Sequence, residues 1–375
     1  MTERSEAQAL TGKAARGEGA DSGAHVAVVT GGSAGVGRAV ALAFAREGWR
    51  VAVIARGRER LESAAREIEV AGGRALAIPA DMADAAAVQA AADEIASAWG
   101  GIDVWVNNAM ATVFGPVSAL SPDEVRRVTE VTYLGQVHGT LAALKHMRAS
   151  GEGTIVQVGS ALAYRSIPLQ SAYCAAKAAV RGFTDSLRSE LDHEGSRIRL
   201  TMVQLPAVNT PQFDWARSHL PRRLQPVPPI HQPDTVAAAV VRAAHEAPRE
   251  LWVGGPTIQA ILGTMAAPGL LDRMMAAQAW DGQMTDERAD ARDDNLFEAP
   301  PGDPGAQGRF SARARKSVVA VSGTAARGFL AAGALGGAAG LFAAAWLWGR
   351  ASAERRAGLP AQGRPGRARS QARDA

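Results

Sequence analysis

The sequence predicts an α/β fold, and three observations carry that reading. Residues 25–56, HVAVVTGGSAGVGRAVALAFAREGWRVAVIAR, read as a strand, a glycine-rich loop, a helix and a second strand. The first run, Val26 to Val29, is apolar and β-branched, as suits a strand buried on both faces of a sheet. Further strand-like runs then alternate with helical stretches, at 75–79, 102–106, 153–158, 197–205 and 250–253, which makes seven strands in all. With 47% hydrophobic and 21% charged residues, the chain has the composition of a globular protein with a sizeable core.

The loop after the first strand is Thr30-Gly31-Gly32-Ser33-Ala34-Gly35-Val36-Gly37, followed by the helical apolar positions Val40, Leu42, Ala43 and Phe44. Glycines let the backbone approach a pyrophosphate, and a helix N-terminus offers free N–H groups and a favourable dipole. A glycine cluster alone is often a turn. Between a strand and a helix it points to a dinucleotide site.

The second strand, Arg50 to Ala55, ends without the carboxylate that would accept bonds from an NAD ribose; Arg56 follows, and Arg58 lies just beyond. A guanidinium suits a 2′-phosphate, so NADP is expected over NAD. In an arginine-rich chain, Arg56 as a plain surface residue is the competing reading.

Residues 58–71 form an amphipathic helical stretch ended by Gly72-Gly73, and Asp84 caps a helix running to Trp99. Asn107-Asn108 at the end of the fourth strand is a turn signal in its own right. Ser121-Pro122-Asp123-Glu124 starts a helix that runs toward Met147.

The stretch 160–177, SALAYRSIPLQSAYCAAK, holds the candidate chemistry. A helix from Tyr173 to Glu190 puts Tyr173 and Lys177 a turn apart on one face. A phenol titrates near 10, and a neighbouring ammonium favours its ionised form. Ser160, at the carboxyl end of the fifth strand, is placed to hold a carbonyl or carbinol oxygen, or simply to cap the strand end. A serine-hydrolase elbow is excluded because Val158 stands where its first glycine belongs. Residues 207–233 are proline-rich and carry Phe213, Trp215 and Leu220, the expected substrate lid.

The TGxxxGxG loop and the Ser-x12-Tyr-x3-Lys stretch, in that order, resemble the short-chain dehydrogenase/reductase family over about residues 25–255. The resemblance implies a doubly wound Rossmann domain with helices on both faces of the sheet, a nicotinamide cofactor and tyrosine-based acid/base catalysis. It implies Tyr173 as general acid/base, Lys177 as the group that lowers its pKa and holds the ribose, and Ser160 as the group that polarises the substrate oxygen. Cofactor contacts are implied for Gly31, Ser33, Gly35, Val36, Gly37, Arg56, Asp81, Met82, Asn108, Ala109, Tyr173, Lys177, Val208 and Thr210. Asn107-Asn108-Ala109-Met110 departs from the family's NNAG by Met110, and Pro206-Ala207-Val208-Asn209-Thr210 departs from PGxxxT by Ala207. Thr132 stands where the family has a catalytic asparagine.

Net charge is only +4, with much of the basic excess near the C-terminus, so no nucleic-acid partner is expected. The single cysteine, Cys174, excludes an internal disulfide and suits a reducing, cytoplasmic compartment. No HExxH or CxxC is present, so no metal is expected. Residues 1–23 read as a polar disordered tail, 24–265 as the catalytic domain, 266–327 as a helical and linker extension with little core in 281–316, and 349–375 as a basic tail. Residues 328–348 carry no charge and would span about 30 Å as a helix, which fits a membrane anchor or a soluble oligomerisation helix. The expectation is an NADP-dependent oxidoreductase of a small carbonyl or secondary alcohol, in a homo-oligomer. A tethered NADP-binding scaffold with little turnover is the alternative, and an epimerase or dehydratase using the same tyrosine is a third reading.

Overall fold

The computed structural model describes residues 24–328. The expected tails, 1–23 and 349–375, lie outside the described residues, as does all of the candidate span 328–348 except Gly328. Among the described residues no helix is long and apolar enough to cross a membrane. Residues 24–323 belong to one compact unit, and the sheet, its helices and the cavity lie within it.

In chain order the strands are β1 (Val26–Thr30), β2 (Arg50–Ala55), β3 (Arg74–Pro79), β4 (Val104–Asn107), β5 (Val113–Phe114), β6 (Glu152–Val158), β7 (Arg197–Gln204), β8 (Arg217–Ser218), β9 (Arg222–Leu224), β10 (Glu250–Val253), β11 (Met284–Arg288) and β12 (Ala320–Ser322). The central sheet has the order β3-β2-β1-β4-β6-β7-β10-β12. Its first seven members run parallel. Strand order reverses between β1 and β4, so a crevice opens at their carboxyl ends.

Alternation along β1 shows why the sheet is double-faced. Ala27 and Val29 pack with Val40 and Phe44 of the Gly35–Arg46 helix and with Val236 and Val240 of the Pro233–Glu246 helix. Val26 and Val28 pack on the other face with Val88 and Ile95 of the Ala85–Trp99 helix and with Ala143 and Met147 of the Gly135–Ser150 helix. Period-two side chains on a strand serve two helical layers at once, so the strand sequence is apolar throughout. The expected helix ends also stand. Asp84 accepts from the N–H groups of Ala86 (2.9 Å) and Ala87 (3.0 Å), and Ser121 and Glu124 form a reciprocal capping box.

Two expectations are corrected. The sheet has eight strands, because β12 pairs antiparallel with β10, Trp252 facing Val321, and covers what would be a bare sheet edge. Residues 281–316 are not a linker with little core. β11 pairs with β9, Leu296 is fully buried beside Val128 and Ala172, and Phe310 is buried. Burying one leucine is worth about 1.5–3 kcal/mol, enough to hold a short segment that also makes hydrogen bonds. The segment's charged and Gly/Pro-rich sequence hides this, because many of its bonds come from its main chain, as at residues 295–297 and 300–302.

Candidate active site

The site is built where β1 and β4 part. Thr30 Oγ1 accepts from the N–H groups of Asn108 (2.9 Å) and Ala109 (3.1 Å) and donates to the Val106 carbonyl (3.3 Å). Asn108 Nδ2 donates back to the Thr30 carbonyl (2.9 Å), so the glycine loop and the end of β4 are tied face to face. Gly31 has φ +66, and a Cβ there would sit 2.9 Å from Ala109 Cα. Gly37 is closer still: a Cβ would meet the Gly31 carbonyl oxygen at 2.3 Å. Gly37 thus serves close packing behind the loop and is not on the cavity wall, whereas Gly31, Ser33, Gly35 and Val36 are.

A cavity of about 690 Å³ runs along this edge. At one end lie Arg56, Asp81 and Met82. The glycine loop, Asn108 and Ala109 form its middle. Ser160, Tyr173, Lys177 and Val208 line the wall beyond, and Thr210 lies against Gly35 of the glycine loop. One trough therefore joins all but two, Gly37 and Thr132, of the residues named from the sequence as catalytic or cofactor-contacting.

The helix Ser171–His193 carries Tyr173 and Lys177 to the cavity. Lys177 is buried, donates from Nζ to the Val158 carbonyl (2.7 Å), and lies 5.8 Å from the centre of the Tyr173 ring. Burial lowers its pKa to about 7. Desolvation pushes the Tyr173 phenol up, only partly offset by a hydrogen bond with Ser160. The expected downward shift of the phenol is therefore corrected: here burial dominates, and it pushes both groups toward their neutral forms. Ser160 Oγ meets Tyr173 and also accepts from the Leu162 N–H (3.2 Å), so it caps the chain after the strand as one of its expected parts.

Thr132 is corrected as a catalytic candidate. It is fully buried in a π-helical turn, Glu130–Leu134, off the cavity wall. Its Oγ1 donates to the Ala111 carbonyl (2.7 Å) and accepts from the Ala111 N–H (2.9 Å). Its side chain ties this turn to the chain after β4.

Arg56 is placed as expected but is not a bare surface cation. Its guanidinium donates to the carbonyls of Asn295 (2.5 Å), Leu296 (3.4 Å) and Phe297 (2.7 Å). Arg58 is exposed and off the cavity wall. Asp81 accepts from the Ala83 N–H (3.0 Å) and pairs with Arg127.

Sequence reasoning missed two parts of the site. Arg60 is buried on the cavity wall, and nothing local distinguishes it from its neighbours. The wall beyond Tyr173 includes Leu271, Met274 and Met275, from the stretch read only as a helical extension. Phe213 and Trp215 of the expected lid also line the cavity.

Among the described residues no cluster of His, Cys, Asp or Glu could hold a metal. A dinucleotide does fit the residues present. The cradle at Gly31 has no room for a side chain, and the trough is continuous from the arginines to Lys177.

Fold and site together define an α/β dinucleotide-binding oxidoreductase. The profile of the family described as short chain dehydrogenase matches residues 25–220. The chain belongs to this family and is an NAD(P)-dependent dehydrogenase/reductase by class. An uncharacterized oxidoreductase of Bacillus subtilis, YxnA, is 32% identical over 281 residues, covering 73% of this chain and 78% of the relative. D-threitol dehydrogenase of Mycolicibacterium smegmatis is 33% identical over 224 residues, covering 59% and 86%. Among solved structures, an alcohol dehydrogenase from the archaeon Thermococcus sibiricus, complexed with 5-hydroxy-NADP, superposes with a TM-score of 0.54 at 29% identity, covering 61% of this chain and 96% of that one.

Proposed function

We propose that the protein is an NADP(H)-dependent oxidoreductase of a carbonyl or secondary alcohol, with Tyr173 as its general acid/base. The observation that carries this reading is the meeting of Tyr173, Ser160 and Lys177 on the wall of the trough that begins at the glycine loop. When bound, the nicotinamide supplies or accepts the hydride. Ser160 Oγ holds the substrate oxygen; the phenol gives that oxygen a proton in reduction, and its phenolate takes one in oxidation. The raised phenol pKa keeps Tyr173 protonated at neutral pH, the form a proton donor needs. Lys177, anchored on the Val158 carbonyl, lies beside the tyrosine on the same cavity wall and would hold the ribose of the bound cofactor.

The preference for NADP rests on Arg56 and on the absence of a carboxylate at the end of β2. The likeness to a structure complexed with an NADP derivative agrees with it. The apolar wall of Phe213, Trp215, Leu271, Met274 and Met275 suits a substrate with an apolar body.

The experiment is Tyr173→Phe, with turnover measured across a panel of carbonyls and alcohols by NADPH absorbance. Turnover should fall by about 10²- to 10⁴-fold, the usual worth of a general acid/base. NADPH affinity should hold. Retained turnover refutes the role of Tyr173. Tight NADPH binding without turnover by the wild type would favour a cofactor-binding scaffold.

A further inference from the structure

The segment 295–305 crosses the adenosine end of the trough as a strap. Its Asn295, Ala299 and Pro300 line the same cavity as the glycine loop. Leu296 anchors it in the apolar cluster beneath. Asp303 pairs with Arg38 and accepts from Ser63 Oγ (2.5 Å), and the Gly305 carbonyl accepts from the Gly35 N–H (3.1 Å). The Asn295 N–H donates to the Trp215 carbonyl (2.9 Å), so the strap also holds the lid.

What the strap offers two of the arginines is only main chain. Arg56 takes the carbonyls of residues 295–297. Arg60 takes those of Pro300, Pro301 (3.0 Å) and Gly302 (2.6 Å), and its guanidinium stacks 4.6 Å above the Trp215 ring. Their neighbours differ. Arg38 has Glu67 and Asp303, and Arg127 has Asp81.

Carbonyl dipoles orient a guanidinium without neutralising it. Arg56 and Arg60 thus form a cation pair on a cavity wall with no carboxylate bonded to either. Burial disfavours the charge on both; Asp81 near Arg56 and Asp303 near Arg60 offset it only in part, and Arg127 and Arg60 add to the cost at Arg56. Buried charges of this kind are stable when an anion joins them. Donors remain for one: Arg56 Nε and Arg60 Nη1 have no hydrogen-bond partner among the described residues.

We propose that the strap is a built part of the cofactor site, holding Arg56 and Arg60 as one receptor for the 2′-phosphate of NADP(H), with Arg60 a second specificity-determining residue. The strap stays docked when that phosphate binds, because phosphate and carbonyls use different edges of the two guanidiniums. This rests on the reading that NADP(H) is the cofactor.

The test measures dissociation constants for NADPH and NADH by fluorescence titration in the wild type, Arg60→Gln and Arg60→Lys, with hydrogen exchange read on residues 295–305. Losing one charge-assisted contact should cut the NADPH-over-NADH preference of Arg60→Gln by about tenfold. Arg60→Lys keeps the charge but loses the planar fork, and should fall between. Strap amides should exchange more slowly with NADPH than with NADH. An equal effect of Arg60→Gln on both cofactors, or none, overturns the proposal, as does faster strap exchange with NADPH. A wild type that prefers NADH overturns the NADP reading itself, and the inference with it. Should Arg60→Gln fail to fold, Arg60→Lys and the exchange comparison decide: unchanged preference with unchanged exchange overturns the proposal.

Discussion

Lys177 shows how one buried side chain couples the site to stability. Its amine titrates near 7 in the folded protein against 10.5 for a free lysine. Between those values the unfolded chain holds a proton that the folded chain does not. Stability therefore rises with pH across this window and bears the full penalty below it. Lys177→Met should flatten that slope and gain stability relative to the wild type at the lower end. Urea unfolding at both ends of the window checks this; an unchanged slope would mean that the amine stays charged and solvated when folded. Tyr173 shifts the opposite way from the local expectation, because the spacing of a tyrosine and a lysine is visible in sequence while the desolvation around them is not.

At the level of elements, the helical run from Pro122 to Ser150 is interrupted by one wide turn, and that turn aims Thr132 at the chain leaving β4. Its hydroxyl satisfies both main-chain groups of Ala111, a pair otherwise stranded in the interior. Thr132→Val keeps the shape and strands them, at about 1–3 kcal/mol. Thr132→Ser should recover most of that loss. Denaturant midpoints for the two variants give the comparison, and equal midpoints would remove Thr132 from its positioning role. The sequence announced the start of this helix through Ser121-Pro122-Asp123-Glu124, since capping chemistry lies within four residues. The wide turn has no such signature, because it follows from how Thr132 meets a segment 21 residues upstream.

On the scale of the whole molecule, residues 284–322 close the dinucleotide domain instead of trailing from it. β12 covers the edge of the sheet, β11 joins the lid, and the strap walls the cleft. Leu296 is the strap's main apolar anchor. Leu296→Ala should cost about 2–5 kcal/mol of docking energy. Proteolysis within 297–305 should then quicken, and an unchanged cleavage rate would mean that the strap is held some other way. Bonds between Arg56 or Arg60 and the strap join residues some 240 positions apart. They end on carbonyls that every residue possesses, so no residue type in the strap advertises them.

The sequence by itself determined the alternation of strands and helices, the glycine turn and the spacing that sets Tyr173 and Lys177 a turn apart. Each is a short-range matter of period, backbone freedom or residue type. Tertiary structure alone decided how dry the phenol and amine are, which main-chain groups Thr132 serves, and what stands against the arginines after β2. Those depend on burial and on partners far along the chain, and both come into being only when the sheet has closed.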